Sequence, residues 1–143
     1  ADNMGIIMEN PGFLSRYTGY KNLEYLASIR KLIGREQIRE SMERVGLDPD
    51  SRKKVGKYSL GMRQRLGIAQ AIMENPDILI LDEPMNGLDN QGVNDVRNIL
   101  LELKKEGKTV ILASHNKEDI EVLCDSVYEM EHGRLVEWKA AGI

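Results

Sequence analysis

Ile78-Leu79-Ile80-Leu81-Asp82-Glu83-Pro84 is the stretch from which the rest of this sequence is best read. Its first four residues form an aliphatic run with no polar face, far too short to cross a membrane. A run of that length suits a strand covered on both sides in a mostly parallel sheet. Two carboxylates follow where such a strand ends, and in open α/β sheets ligands sit at that edge. Taken alone, Asp82 and Glu83 fit equally well as the opening of a turn ahead of Pro84. The flanking segments decide between the two.

Just upstream stands Tyr58-Ser59-Leu60-Gly61-Met62, leading into a helix predicted over 61–73. The Ser59 hydroxyl can cap orphan backbone N–H groups there. Gly61, lacking a Cβ, lets a ligand approach the backbone. A helix N-terminus with free N–H groups is a seat for phosphate, although a plain N-cap would explain both residues. Leu66, Ala69, Ile72 and Met73 are expected to face the core, and Asn75-Pro76-Asp77 ends the helix. Downstream, Asp89-Asn90-Gln91 can cap a helix over 91–105, with Val93, Val96, Leu100 and Leu103 on one face and Gly107 at its end. A buried strand over 108–113 completes a βαβ unit. Ser114-His115-Asn116 closes that strand at the same edge as Asp82 and Glu83. A short helix over 117–123 and a hairpin turning at His132-Gly133 finish the chain. His132 reads as structural.

Towards the N-terminus, Met4-Gly5-Ile6-Ile7-Met8 reads as a short strand broken at Glu9-Asn10-Pro11-Gly12. Residues 18–61 turn helical. One helix is expected over 19–33, carrying Leu23, Leu26, Ala27 and Ile29 and stopped by Gly34. A second spans 35–45, with Ile38, Met42 and Val45 on one face and Gly46 at a left-handed C′ position. Asp48-Pro49-Asp50-Ser51 makes a turn, and Arg52-Lys53-Lys54 is a solvated charged run.

Composition sets the bounds. The chain has 143 residues, one domain's worth, with 41% hydrophobic and 30% charged residues, ordinary for a globular protein. Its formal charge of −3 argues against binding nucleic acid by phosphate neutralisation. No apolar run reaches the length of a membrane helix, and no signal peptide is visible. The single cysteine, Cys124, reads as a buried thiol in a reducing compartment.

Three segments together carry a family resemblance. ILILDEP followed by Asn86-Gly87-Leu88-Asp89 resembles the Walker B motif and D-loop of ATP-binding-cassette (ABC) ATPases. YSLGM followed by Arg63-Gln64-Arg65 resembles that family's signature, usually L-S-G-G-Q, with Leu60 in place of the first glycine and Met62 in place of the glutamine. Leu112-Ala113-Ser114-His115 resembles its switch-histidine segment. The resemblance implies an α/β fold: a partial P-loop NTPase core with parallel strands and an inserted α-helical subdomain. It divides the chain into a core segment over 1–12, a helical subdomain with the signature over 13–75, and a core segment over 76–143. It implies ATP and Mg²⁺ as ligands. Asp82 would hold the metal and Glu83 would polarise the attacking water. His115 would contact the γ-phosphate. Ser59, Leu60, Gly61 and Met62 would grip ATP held by a second ATPase subunit across a head-to-tail dimer, with Asp89 at the seam. Glu9 falls where the family's Q-loop glutamine stands; it either ligates Mg²⁺ there or is a solvated loop residue. A glutamate at that position resembles ATPases that export, or give immunity to, lantibiotic-type peptides.

The same resemblance implies transmembrane permease subunits as partners, touched by the helical subdomain. Tyr17, Tyr20 and Tyr25 are candidates for that contact or for the subdomain's core. It places the protein in the cytoplasm, peripheral on the inner face of the membrane. No G-x-x-x-x-G-K-[ST] occurs in the sequence. That loop cradles ATP phosphates in P-loop enzymes, and family members carry it ahead of everything present here. The expectation is therefore the C-terminal part of an ABC transporter ATPase, inactive alone and prone to self-association through unpaired strand edges. A soluble ABC ATPase of the chromosome, repair or translation type is the alternative for the parent protein. A non-catalytic interaction module is the alternative for the chain itself. Chromosome and repair types would need long heptad insertions before the signature, and none is present.

Overall fold

A computed structural model describes residues 4–7 and 12–139 of the chain. Backbone contacts divide it into two compact units, Ala1–Ala113 and Ser114–Ile143. The first unit holds a three-stranded parallel sheet in the order β1-β2-β3, made by β1 (Met4–Ile7), β2 (Ile78–Asp82) and β3 (Thr109–Ala113). The decisive aliphatic run is the central strand. Its register aligns Met4 with Ile78 and Thr109, and Ile6 with Ile80 and Ile111. Connecting β2 to β3 is α4 (Asn90–Lys105), as expected for a βαβ unit.

Between β1 and β2 lie α1 (Gly19–Arg30), α2 (Arg35–Arg44), a 3₁₀ turn (Val55–Lys57) and α3 (Leu60–Ile72). Leu23, Ile38, Met42, Val45, Val55 and Leu66 form the buried centre of this helical part. Thr18 caps α1, its hydroxyl accepting the Lys21 N–H at 3.2 Å. Buried Asn22 clamps the loop before α1: its side chain accepts from Leu14 N–H at 2.7 Å and donates to the Leu14 and Thr18 carbonyls. That loop also pairs with the segment before α3, Val55 N–H donating to Tyr17 O and Gly56 N–H to Ser15 O.

The helical boundaries differ from the sequence reading at one place. α1 stops at Arg30, where Lys31 turns left-handed (φ 55°) and its N–H bonds the Ala27 carbonyl. Gly34 is not its stop but the N-cap of α2, with its N–H held by the Gln37 side chain at 3.0 Å. Ile29 is correspondingly 68% exposed and not part of the core. The second helix behaves as expected: Ile38, Met42 and Val45 are buried, and Gly46 has φ +81°.

Burial of the sheet also differs from expectation. Leu79 and Leu81 are 1% exposed, whereas Ile78 and Ile80 are only half-buried. In β3, Thr109, Ile111 and Ala113 are exposed. The cause is a one-sided cover. α3 packs against the Gly5 and Leu79 face, so closely that a Cβ on Gly5 would stand 2.1 Å from the Ala71 carbonyl oxygen. On the other face the register row Ile6, Ile80, Ile111 stays open, Ile6 and Ile111 each being 53% exposed. The aliphatic run therefore alternates where full burial was expected. α4 buries Val96, Ile99, Leu100 and Leu103 at i, i+3, i+4 and i+7; Ile99 joins the predicted stripe and Val93 is only half-buried.

The second unit contains α5 (Lys117–Leu123) and the antiparallel pair β4 (Val127–Glu131) and β5 (Arg134–Lys139). His132 and Gly133 have φ of 49° and 78°, the backbone of a two-residue I′ hairpin turn. Cys124 is half-buried, short of the full burial expected of it.

The contact at Gly5 makes a direct prediction. Gly5→Ala must push α3 off the sheet and is expected to cost about 2 kcal/mol, as overpacking against fixed backbone does. Gly12→Ala, with no atom within 4 Å of its new Cβ, should leave the urea midpoint unchanged. Equal midpoints for both variants would contradict this packing.

Candidate functional site

The central strand delivers the two carboxylates. Asp82 is the last residue of β2, paired in register with Ala113, and is exposed. Glu83 continues the ladder by one bond, its N–H donating to the Ala113 carbonyl at 2.9 Å. Its own φ is +48°, a left-handed conformation that few residues with a Cβ adopt. The turn is pinned from below by Pro84 and Met85, both buried, and by Asn86 N–H donating to Glu83 O at 3.2 Å. The half-buried Glu83 side chain is thus aimed by a backbone that costs roughly 1–2 kcal/mol to hold. Strain of that kind clusters at functional sites.

The N-terminus of α3 is built as the sequence suggested. Ser59 is the N-cap, its Oγ accepting the Met62 N–H at 3.1 Å. The first-turn N–H groups of Leu60 and Gly61 have no intrahelical partner, as helix geometry requires. They form the positive end of the helix dipole, with no acidic residue in the first turn. Behind the cap, Tyr58 is buried with its hydroxyl at the backbone of Gly19. Burial pushes its phenol up, partly offset by the Gly19 N–H donating to it. Asp89 caps α4, its Oδ1 accepting the Gly92 N–H at 2.8 Å. α3 and α4 are tied by an Arg65–Asp95 ion pair, and Asp95 also accepts from Gln91 at 2.9 Å.

Within the first unit, then, Leu60 meets Gly87 and Leu88 lies over Gly61, and Asp82 and Glu83 stand at the end of the strand that enters the loop 86–89. His115 is exposed and belongs to the second unit, in the Ser114–Asn116 turn where Ser114 Oγ accepts the Asn116 N–H at 3.1 Å. Glu9 lies outside the described residues. Of the candidate partner-facing tyrosines, Tyr17 and Tyr25 are exposed and Tyr20 is half-buried. A cleft of about 480 Å³ between α1 and α2 is lined by Tyr20, Lys21, Glu24 and Arg35, and by none of Ser59, Leu60, Gly61, Met62, Asp82, Glu83 or Asp89. At the N-terminus of α3, Ser59 and Leu60 are exposed and Gly61 and Met62 half-buried.

No cluster of three or more carboxylate, histidine or cysteine side chains exists among the described residues. A lone strand-end carboxylate is a poor cage for zinc or calcium. It suits Mg²⁺, which keeps waters and takes one or two carboxylates plus substrate phosphates. Sequence reading missed three features of the site. The Tyr58–Gly19 contact joins residues far apart in the chain and has no local signal. The left-handed Glu83 is masked because nothing in its residue type asks for positive φ. The Arg65–Asp95 pair needs the packing of α3 on α4 to be known first.

Comparison with known proteins settles the class. Residues 1–86 match the family described as ABC transporter, and the chain belongs to that family. It is 52% identical over 133 residues to an uncharacterised ABC transporter ATP-binding protein, YybJ, of Bacillus subtilis, covering 93% of this chain and 61% of that one. It is 47% identical over 135 residues to the bacitracin transport ATP-binding protein BcrA of Enterococcus faecalis, covering 94% and 44%. The structure of cbiO1 from Clostridium perfringens, part of the ABC transporter complex cbiONQ, superposes with a TM-score of 0.81 at 29% identity, covering 94% of this chain and 56% of that one. The fold is accordingly that of an ABC ATPase. The chain spans about half the length of the curated relatives it matches.

Substitutions at two positions test the local geometry. Ser59→Ala should cost about 1 kcal/mol, the usual loss of an N-cap. Glu83→Gly should be about 1 kcal/mol more stable than Glu83→Ala, since both lose the carboxylate and only glycine relieves the left-handed strain. Equal stability of the two variants in urea unfolding would show that the backbone there is not strained.

Proposed function

We propose that the protein is the ATP-binding and ATP-hydrolysing subunit of an ABC transporter and powers transport across a membrane. The observation that carries this reading is Glu83, held in a strained left-handed turn at the end of the central strand, directly after a carboxylate suited to Mg²⁺. Asp82 holds the metal, which neutralises phosphate charge when bound. Glu83 is the general base that orients and deprotonates the attacking water. Phosphoryl transfer asks mainly for such placement and charge stabilisation. Ser59, Leu60, Gly61 and Met62 present the α3 N-terminus to the γ-phosphate of ATP on a second ATPase subunit, with Asp89 at the seam of the head-to-tail pair. His115 donates to the γ-phosphate from the switch position. Glu9, at the Q-loop position, supplies a second oxygen ligand to Mg²⁺.

In this reading residues 13–75 form a helical subdomain between core segments 1–12 and 76–143, and it docks on transmembrane permease subunits at the cytoplasmic face. No helix among the described residues is long and apolar enough to cross a membrane. Similarity to the bacitracin transport protein supports an antimicrobial peptide as the transported substrate. Since the 143 residues contain no G-x-x-x-x-G-K-[ST], the chain by itself turns over no ATP. The open row of Ile6, Ile80 and Ile111 supports self-association of the isolated chain.

The test is a hybrid in which this chain replaces the matching portion of the Enterococcus faecalis bacitracin transport protein. The hybrid is expected to hydrolyse ATP, and Glu83→Gln to reduce kcat at least 100-fold. An active Glu83→Gln hybrid, or turnover by the unfused chain, would defeat this account. In light scattering the isolated chain should run above its 16.2 kDa mass, and Ile111→Lys should shift it towards monomer. A wild-type monomer at high concentration would remove the sheet face from consideration.

A further inference from the structure

The signature segment of this chain carries Leu60 where its family has a glycine, and the structure gives that leucine an occupation. A Cβ placed on Gly87 would stand 2.7 Å from Leu60 Cδ2, so the leucine methyl already fills that volume. Gly87 has φ +78°, a second reason for glycine there. The contact is reciprocated from the other side. Leu88 Cδ2 lies 3.7 Å from where a Cβ on Gly61 would be, and Leu88 Cβ lies 3.3 Å from the same point on Gly92 in the first turn of α4. Two leucines thus sit on three glycines: Leu60 on Gly87, and Leu88 between Gly61 and Gly92. Leu60 remains 37% exposed and Leu88 half-buried, so the contact is made at the surface and not by the core.

We propose that this interlock makes Leu60 a positioning residue, fastening the N-terminus of α3 to the loop that ends in Asp89. The helix N-terminus and the Asp89 cap of α4 then move as one body. The Arg65–Asp95 pair ties the same two helices further along, but it touches neither the loop nor the first turn of α3. A glycine at position 60 would leave the loop facing a gap at Gly87. The leucine's side chain is therefore committed to the loop. The role of this body in turnover rests on the ATPase reading given above; the interlock does not.

The interlock is tested by a double-mutant cycle in the 143-residue chain, followed by urea unfolding. Gly87→Ala suffers both backbone strain and collision with Leu60. In a Leu60→Ala background only the strain remains, so Gly87→Ala should lower the folding equilibrium constant at least fivefold more with Leu60 present than without it. Equal losses in the two backgrounds would overturn the interlock. If Gly87→Ala fails to fold beside Leu60 yet folds beside Leu60→Ala, the interlock is upheld. The positioning role is read in the hybrid ATPase. Leu60→Ala should lower kcat about tenfold with KM for ATP within twofold, and Leu60→Met, which can refill the volume over Gly87, should restore it. Unchanged kcat in Leu60→Ala would reduce the contact to packing. A hybrid with no turnover even with Leu60 intact would defeat the ATPase reading and the positioning role with it, while the unfolding cycle still decides whether the interlock exists.

Discussion

Everything in the first unit depends on β2 being hydrogen-bonded on both edges. Parallel pairing with β1 on one side and β3 on the other fixes its register to the residue. A slip of one position would carry Leu79 and Leu81 out of the core and bring Ile78 and Ile80 in. It would also move Asp82 and Glu83 off the strand end. The final bond of the ladder, Glu83 N–H to the Ala113 carbonyl, is where regular sheet stops and the left-handed turn begins. Site geometry is therefore a continuation of sheet geometry, set by the same bonds.

Much of this was legible in the sequence, because the signals were local. Ser59 and Asp89 declare themselves as caps by residue type and spacing. His132-Gly133 sits between two runs of strand character. The family motifs identified the class from three short segments. Other features were illegible for physical reasons. Whether an aliphatic strand is covered on one face or two depends on what packs there, and residues 78–81 look the same in either case. Lys31 ends α1 although Gly34 was the better candidate on propensity; tertiary packing of the helical part overrides that preference. Ile29 lies on a face that the helical period alone could not distinguish from the buried one.

The relation between the helical part and the sheet is more specific than a shared core. α3 approaches the sheet so closely at Gly5 that backbone meets backbone, and it meets α4 through Arg65 and Asp95. Arg44–Glu106 and Arg30–Glu74 add ties from α2 to the end of α4 and from α1 to the segment after α3. Such partly exposed pairs contribute little energy each. Their value is angular, since each limits how one helix can rotate on its neighbour. The open row of Ile6, Ile80 and Ile111 has no such restraint.

Buried Tyr58 has a mechanical consequence. Its hydroxyl is held at the first residue of α1, and the next residue along the chain is the Ser59 cap. The ring is stiff and spans from the first residue of α1 to the residue just before the α3 cap, so one aromatic side chain sets the spacing between the two helix starts. The loop pairing of Ser15 and Tyr17 with Gly56 and Val55 joins the same two stretches of chain a second time, through backbone.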